Sequence, residues 1–287
     1  MAQITFTLIK NMSNAELLDS RIKPQPDHDG HDIQIAHIRT NHGISTVRSE
    51  QPGMESNYFF IGGLVSGGSY ELAACSVAQL RRSAHTIRHG SNGFRGAIDA
   101  DVEEVVDIVE LFGQEGPVNL IGHSKAGRVA LRAAARLHKD IDLESVTVIN
   151  PALGATNMLE AAKGVRSILR EQAAVNFAHP FRMARAARGA FHELQHRPLG
   201  IAGETLELLS PYDFSEDMKS IRGRGATTTL VIGEQDHIVP GISLEQEALR
   251  YDFDRIVRLR GAVDGGHFGV VVVKDLLMPV FLPHAAA

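Results

Sequence analysis

Six short apolar runs, at residues 58–61, 86–88, 118–121, 146–149, 228–232 and 256–259, each bounded by Gly or Asn, limit the folds open to this chain more than any other feature. They are nearly continuous rather than alternating, which is the pattern of strands covered on both faces. Between them lie stretches of helical period. The clearest covers residues 101–112, with Val102, Val105, Val106, Val109 and Phe112 at helical spacing. Asp101 and Glu104 are spaced there as a capping box, and Gly113 follows as a stop. A second helical stretch covers residues 124–138. Strand and helix alternating in this way imply an α/β fold, a mostly parallel central sheet with helices on both faces. Its ligand site is expected beyond the carboxyl ends of the strands.

Upstream, the pattern differs. Residues 32–39 and 44–50 alternate apolar and polar around Thr40-Asn41-His42-Gly43, which suits an antiparallel hairpin. Residues 151–222 fall between two of the runs and carry helical stretches without a convincing strand. They read as an inserted helical cap, leaving 1–150 and 223–287 as the core. The closing residues 269–282 read as a covering helix.

Composition excludes several classes. With 287 residues and 44% hydrophobic content, the chain can bury a large core without disulfides or metal. Its single cysteine, Cys75, excludes a disulfide framework and any CxxC site. The 29 basic and 34 acidic residues give a net charge of -5 with no block of like charge, so nothing points to nucleic acid. The N-terminal MAQITFTLIKNMS does not read as a signal peptide, and no window of 18 apolar residues suits a membrane span. A soluble cytoplasmic protein is expected.

The run at 118–121 continues as Gly122-His123-Ser124-Lys125-Ala126-Gly127, placing a serine in the turn between a buried strand and an alanine-rich helix. A strand reversing directly into a helix brings backbone against backbone, which requires small residues at Gly122, Ala126 and Gly127. Ser124 is thereby held at a helix N-terminus, where free N–H groups favour a developing negative charge.

In these residues the chain resembles the α/β-hydrolase family, whose nucleophile elbow is G-x-S-x-G; Ala126 stands for the last Gly. The resemblance spans about residues 30 to 275 and implies the α/β-hydrolase fold with an inserted helical cap. It also implies a base and an acid further along the chain. The family's G-x-x-D-x-x-x-P stretch is met by Gly233, Asp236 and Pro240, which assigns the acid to Asp236. The base falls to His267 in Gly265-Gly266-His267-Phe268-Gly269, and the order Ser124, Asp236, His267 is the family's. Asp264 lies too close in sequence to His267 to brace it across a site. Asn150, where some relatives carry the acid, is an amide. His123 and His237 read as packing or surface residues, and His89 as a pocket-lining residue and a minor candidate for a catalytic role. For the oxyanion hole, the resemblance implies the N–H of Lys125 and that of Leu64, after Gly62-Gly63.

A serine nucleophile argues against the relatives that use Asp, the epoxide hydrolases and haloalkane dehalogenases. The function implied is a serine hydrolase cleaving a carboxylic ester, thioester or lactone of a small-molecule acyl substrate, without metal or cofactor. An acyltransferase or pathway thioesterase would use the same three residues, and a non-catalytic binding protein would keep the fold alone. Arg166, Arg170, Arg182, Arg185, Arg188 and Arg197 in the expected cap would either receive an anionic substrate group or pair with cap acids. Lys125, beside the nucleophile, would either favour anionic substrates or point away.

Overall fold

The computed structural model describes residues 16–24, 32–50, 54, 56–62, 82–114, 116–153, 191–192, 194–234, 236, 239 and 241–260. Their centre is a nine-stranded sheet in the order β1-β2-β3-β5-β4-β6-β7-β8-β9. The strands are β1 (Glu16–Pro24), β2 (Asp32–Thr40), β3 (Gly43–Glu50), β4 (Asn57–Ile61), β5 (Ser83–Arg88), β6 (Val118–His123), β7 (Leu143–Ile149), β8 (Thr227–Gly233) and β9 (Arg255–Leu259). From β5 to β9 every neighbouring pair is parallel, while β1, β2, β3 and β5 pair antiparallel. The expected hairpin is β2 and β3, with Thr40 opposite Gly43. All five residues of β4 and all six of β6 are buried, as two-sided coverage of a parallel strand demands.

Strand β1 is absent from the sequence reading, and its composition explains why. It is an edge strand whose residues 16–20 are exposed or half-buried, with a register shift between Leu17 and Asp19. An interrupted, half-solvated edge has no clean period to read.

Five helices are described: α1 (Ala97–Phe112), α2 (Lys125–Arg136), α3 (Pro198–Leu208), α4 (Ser215–Gly223) and α5 (Gly241–Tyr251). Helix α1 buries Ile98, Val102, Val105, Ile108 and Val109 at 2% exposure or less. It packs on α2, and α2 packs on α4. Within 151–222, the expected cap, residues 154–190 lie outside the described residues. Helix α3 rests on α1, whereas α4 delivers Phe214, Met218 and Ile221 into the main core beside α2. The closing stretch 269–282 also lies outside the described residues.

The capping box expected at Asp101 and Glu104 is not there. Helix α1 begins at Ala97, one turn earlier, after Gly96 in the left-handed region at φ 64°. Its first N–H groups, of Ala97 and Ile98, donate to the Glu207 carboxylate of α3 at 2.7 and 3.0 Å. The cap comes from a distant helix, which frees Asp101 and Glu104 to sit buried in the helix body. Among the described residues no helix is long and apolar enough to cross a membrane.

His85 on β5 stacks on Phe59, ring centroids 4.6 Å apart, with Nδ1 2.8 Å from the Ser49 hydroxyl and Nε2 3.3 Å from Asn57 Oδ1. Burial disfavours its charged form and lowers its pKa from 6.5 to about 3. The unfolded chain therefore takes up a proton that the folded chain refuses between those values, and stability falls as pH falls through that window. Denaturant unfolding at a series of pH values checks this. His85→Gln should reduce the slope of unfolding free energy between pH 6.5 and pH 3 by up to about 1.4 kcal/mol per unit.

Candidate active site

The order of the central strands creates the crevice. The chain passes from β4 outward to β5 on one side and returns as β6 on the other, so the connections diverge above the carboxyl ends of β4 and β6. Ile61 of β4 is level with Gly122 of β6, so Gly62 and Ser124 leave the sheet side by side at this switch point.

Ser124 sits between β6 and α2 with φ 56° and ψ -123°, an unusual conformation for a residue with a Cβ. Such a conformation costs about 1–3 kcal/mol and persists only where neighbours impose it. Here they do. The Ser124 N–H donates to Ile149 O at 2.9 Å, and its carbonyl accepts from Gly127 and Ala152 at 3.0 and 3.1 Å. The turn is also too tight for bulk: a Cβ on Gly122 would lie 2.2 Å from Ala126 O, and one on Gly127 would lie 2.4 Å from the Pro151 Cβ. The small residues expected at Gly122 and Gly127 are required by contact, and Ala126 is fully buried between them.

Asp236 lies three residues past the end of β8 and is buried at 3% exposure. Its N–H donates to Gly233 O at 3.0 Å and its Oδ1 accepts from the Val239 N–H at 2.9 Å, so the loop is tied to the strand end. Asn150, the rejected acid position after β7, has a different task. Its Oδ1 accepts the Gly233 N–H at 2.6 Å and its own N–H donates to Val231 O at 2.9 Å, stitching the end of β7 to the end of β8. Ser124 and Asp236 thus leave the same end of the sheet, from strands separated only by β7. His267, Leu64, Asp264 and His237 lie outside the described residues. His123 is buried at 3% exposure, as a packing residue would be.

Behind the elbow is a group of charges that the sequence reading did not assemble. The Lys125 side chain is fully buried, with Nζ 2.5 Å from Asp101 Oδ2 and 3.0 Å from Glu204 Oε2. Arg197 Nη2 pairs with the same two acids, at 3.1 Å from Asp101 Oδ1 and 2.7 Å from Glu204 Oε1. His89 Nδ1 lies 2.8 Å from Glu104 Oε2 and 3.5 Å from Asp101 Oδ1. Glu104 Oε1 accepts from the Gly90 N–H at 2.9 Å and from the Ser45 hydroxyl.

Burial alone would push the Asp101 carboxyl up. The charges of His89, Lys125 and Arg197, with the Lys125 hydrogen bond, outweigh it and hold that carboxyl well below the usual range. Burial would likewise push Lys125 down, and the charges of Asp101 and Glu204 outweigh it and raise its pKa. Both groups are therefore ionised at neutral pH.

The donor atoms of His89, Asp101 and Glu104 lie within 4.8 Å of one another, as metal ligands would. The Asp101 oxygens are already spent on Lys125, Arg197 and the Ser91 hydroxyl, and two fixed cations stand where a divalent ion would be repelled. The Lys125 ammonium faces the protein interior and cannot meet an anionic substrate. Arg197 pairs with a cap acid, and the other five cap arginines lie outside the described residues.

Two signals in the sequence point toward this cluster. Asp101 stands in the stripe Ile98, Val105, Ile108 on the buried side of α1. Lys125 is a cation at a helix N-terminus, where the dipole disfavours one unless an acid is near.

The crowding at the elbow sets an expected outcome. Gly122→Ala should cost about 1–3 kcal/mol or more in unfolding free energy, because its nearest neighbour is backbone that cannot turn aside. Denaturant melts of the two proteins check it, and an unchanged midpoint would show that the turn has slack.

Comparison with known proteins points the same way. The sequence model of the alpha/beta hydrolase family matches residues 60–274. A search of curated proteins finds no match. Among solved structures, the chain is similar to a candidate lipase from Acinetobacter baumannii AYE, with TM-score 0.66, 16% identity, and coverage of 88% of this chain and 91% of that one. It is also similar to the thioesterase domain from the curacin biosynthetic pathway, with TM-score 0.61, 14% identity and coverage of 87% and 99%. A thermophilic esterase from Thermogutta terrifontis gives TM-score 0.60, 13% identity and coverage of 93% and 98%. At these identities the likeness is one of fold. The family match, however, takes in well over half of the chain, including the end of β4, all of β6 and the elbow between β6 and α2, and on that ground the chain belongs to the alpha/beta hydrolase family.

Proposed function

We propose that this chain is a serine hydrolase that cleaves a carboxylic ester, thioester or lactone of a small-molecule acyl substrate through an acyl-enzyme. The observation that carries the reading is Ser124 itself: a non-glycine residue held at φ 56° by three backbone hydrogen bonds, at the switch point of a parallel sheet. Strain of that kind is concentrated at functional sites.

In this reading, Ser124 Oγ attacks the acyl carbon while His267 takes its proton. Asp236 holds the imidazole in one tautomer and stabilises its charged form. Strands β6 and β8 are two spacings apart, about 10 Å between axes, a gap suited to an imidazole hydrogen-bonded on each side. The oxygen of the tetrahedral intermediate is received by the N–H groups of Lys125 and Leu64. Lys125 is the first residue of α2, and a helix leaves its first N–H groups without intrahelical partners. Collapse expels the alcohol or thiol with the proton from His267. Water, activated by the same imidazole, then releases the acid. The reaction draws on side chains and backbone alone.

A fluorophosphonate probe tests the reading directly: it should label the wild type and not Ser124→Ala, and an unlabelled wild type would refute it. On nitrophenyl esters, Ser124→Ala should lower kcat by about 10⁴-fold or more, and Asp236→Asn by about 10³- to 10⁴-fold. An Asp236→Asn enzyme with wild-type kcat would remove Asp236 from the site.

A further inference from the structure

We propose that Asp101 and Glu204 are positioning residues for the oxyanion hole, gripping the Lys125 ammonium so that the backbone N–H of the same residue is held where the developing oxyanion will form. The inference rests on the serine-hydrolase reading, because it concerns a donor that reading assigns.

Lys125 is fixed at both ends. Its backbone follows Ser124, whose N–H and carbonyl are engaged with Ile149, Gly127 and Ala152. Its Nζ is clamped between Asp101 on α1 and Glu204 on α3. The clamp is itself braced. Asp101 Oδ1 accepts from the Ser91 hydroxyl at 2.5 Å, and Arg197 bridges the two acids. Helix α3 is tied down through Glu207 to the start of α1. The Arg128 guanidinium holds its far end, donating to the carbonyls of Glu207 at 3.3 Å and Ser210 at 3.1 Å. The side chain therefore spans two anchored points and leaves its own backbone little freedom.

Stability does not account for this arrangement. Burying four charged side chains carries a large desolvation cost, and well-packed apolar residues of similar volume usually serve a core as well or better. A cation at the first residue of a helix also opposes the helix dipole. Substrate binding does not account for it either, since the Lys125 side chain is 0% exposed. What the arrangement supplies is fixity at a donor, and a reacting group displaced by 1 Å costs on the order of 10²-fold in rate.

The test compares Glu204→Gln, which keeps the shape and removes one charge, with the double variant Lys125→Met/Glu204→Gln, which removes one charge of each sign. Measured on a nitrophenyl ester and with the fluorophosphonate probe, both should lose about tenfold or more in kcat and in the rate of Ser124 labelling, with KM within twofold of wild type. Cooperative thermal melts show which variants are folded. A folded variant with kcat and labelling rate within twofold of wild type would overturn the inference, as would a loss carried by KM. So would failure of both variants to fold, which would make the cluster a stability element. An unlabelled wild type refutes the serine-hydrolase reading as well, whereas a labelled wild type with unaffected variants refutes only the positioning role.

Discussion

Between residues 122 and 127 a buried parallel strand turns directly into a helix, with no loop to take up the change of direction. Most of the surrounding structure answers to that reversal. It forces Ser124 to a positive φ, brings Ala126 O to within 2.2 Å of where a Gly122 Cβ would be, and lets Pro151, just past β7, close over Gly127. The strained residue is retained because two of its three backbone hydrogen bonds leave the turn, to Ile149 at the end of β7 and to Ala152 just beyond it. Backbone strain at one point is thus underwritten by the pairing of β6 with β4, which is buried throughout, and with β7, which is buried from Val146 to Ile149 beside the turn.

The same reversal explains how charge enters the interior. Helix α2 must start immediately after the serine, so its first residue faces α1 and α3 rather than solvent. A lysine there finds acids on both. Lys125, Arg128 and Arg132 succeed one another at helical spacing, and each is buried and committed to a partner on another element. Helix α3, from the segment expected to form the cap, is bound by polar contacts of fixed geometry along its length. These contacts fasten it to α1 and to the Arg128 side chain of α2.

The sequence revealed those elements whose character is local. Strands β4, β6 and β8 were legible to within one or two residues because continuous apolar runs bounded by Gly or Asn mean the same thing wherever they occur. Strand β7 was read as starting three residues late, because Glu144 and Ser145 turn to Asn119 of the neighbouring strand and so break the apolar run. The elbow was legible because steric crowding dictates small residues at fixed spacing. What escaped was whatever depends on a distant partner. Asp101 and Glu104 mimic a capping box in isolation, and only the arrival of Glu207 from α3 shows that the helix is capped otherwise. The ion cluster joins Asp101 to Lys125 and Arg197, 24 and 96 positions away, for which no short window carries a signal.

The distant cap has a bearing on how the chain is made. The N–H groups that open α1 receive their acceptor from a residue about 110 positions further along. At ordinary rates of synthesis, that residue emerges roughly 5 to 20 seconds after the helix it completes. Until then the first two N–H groups of α1 have only water to donate to.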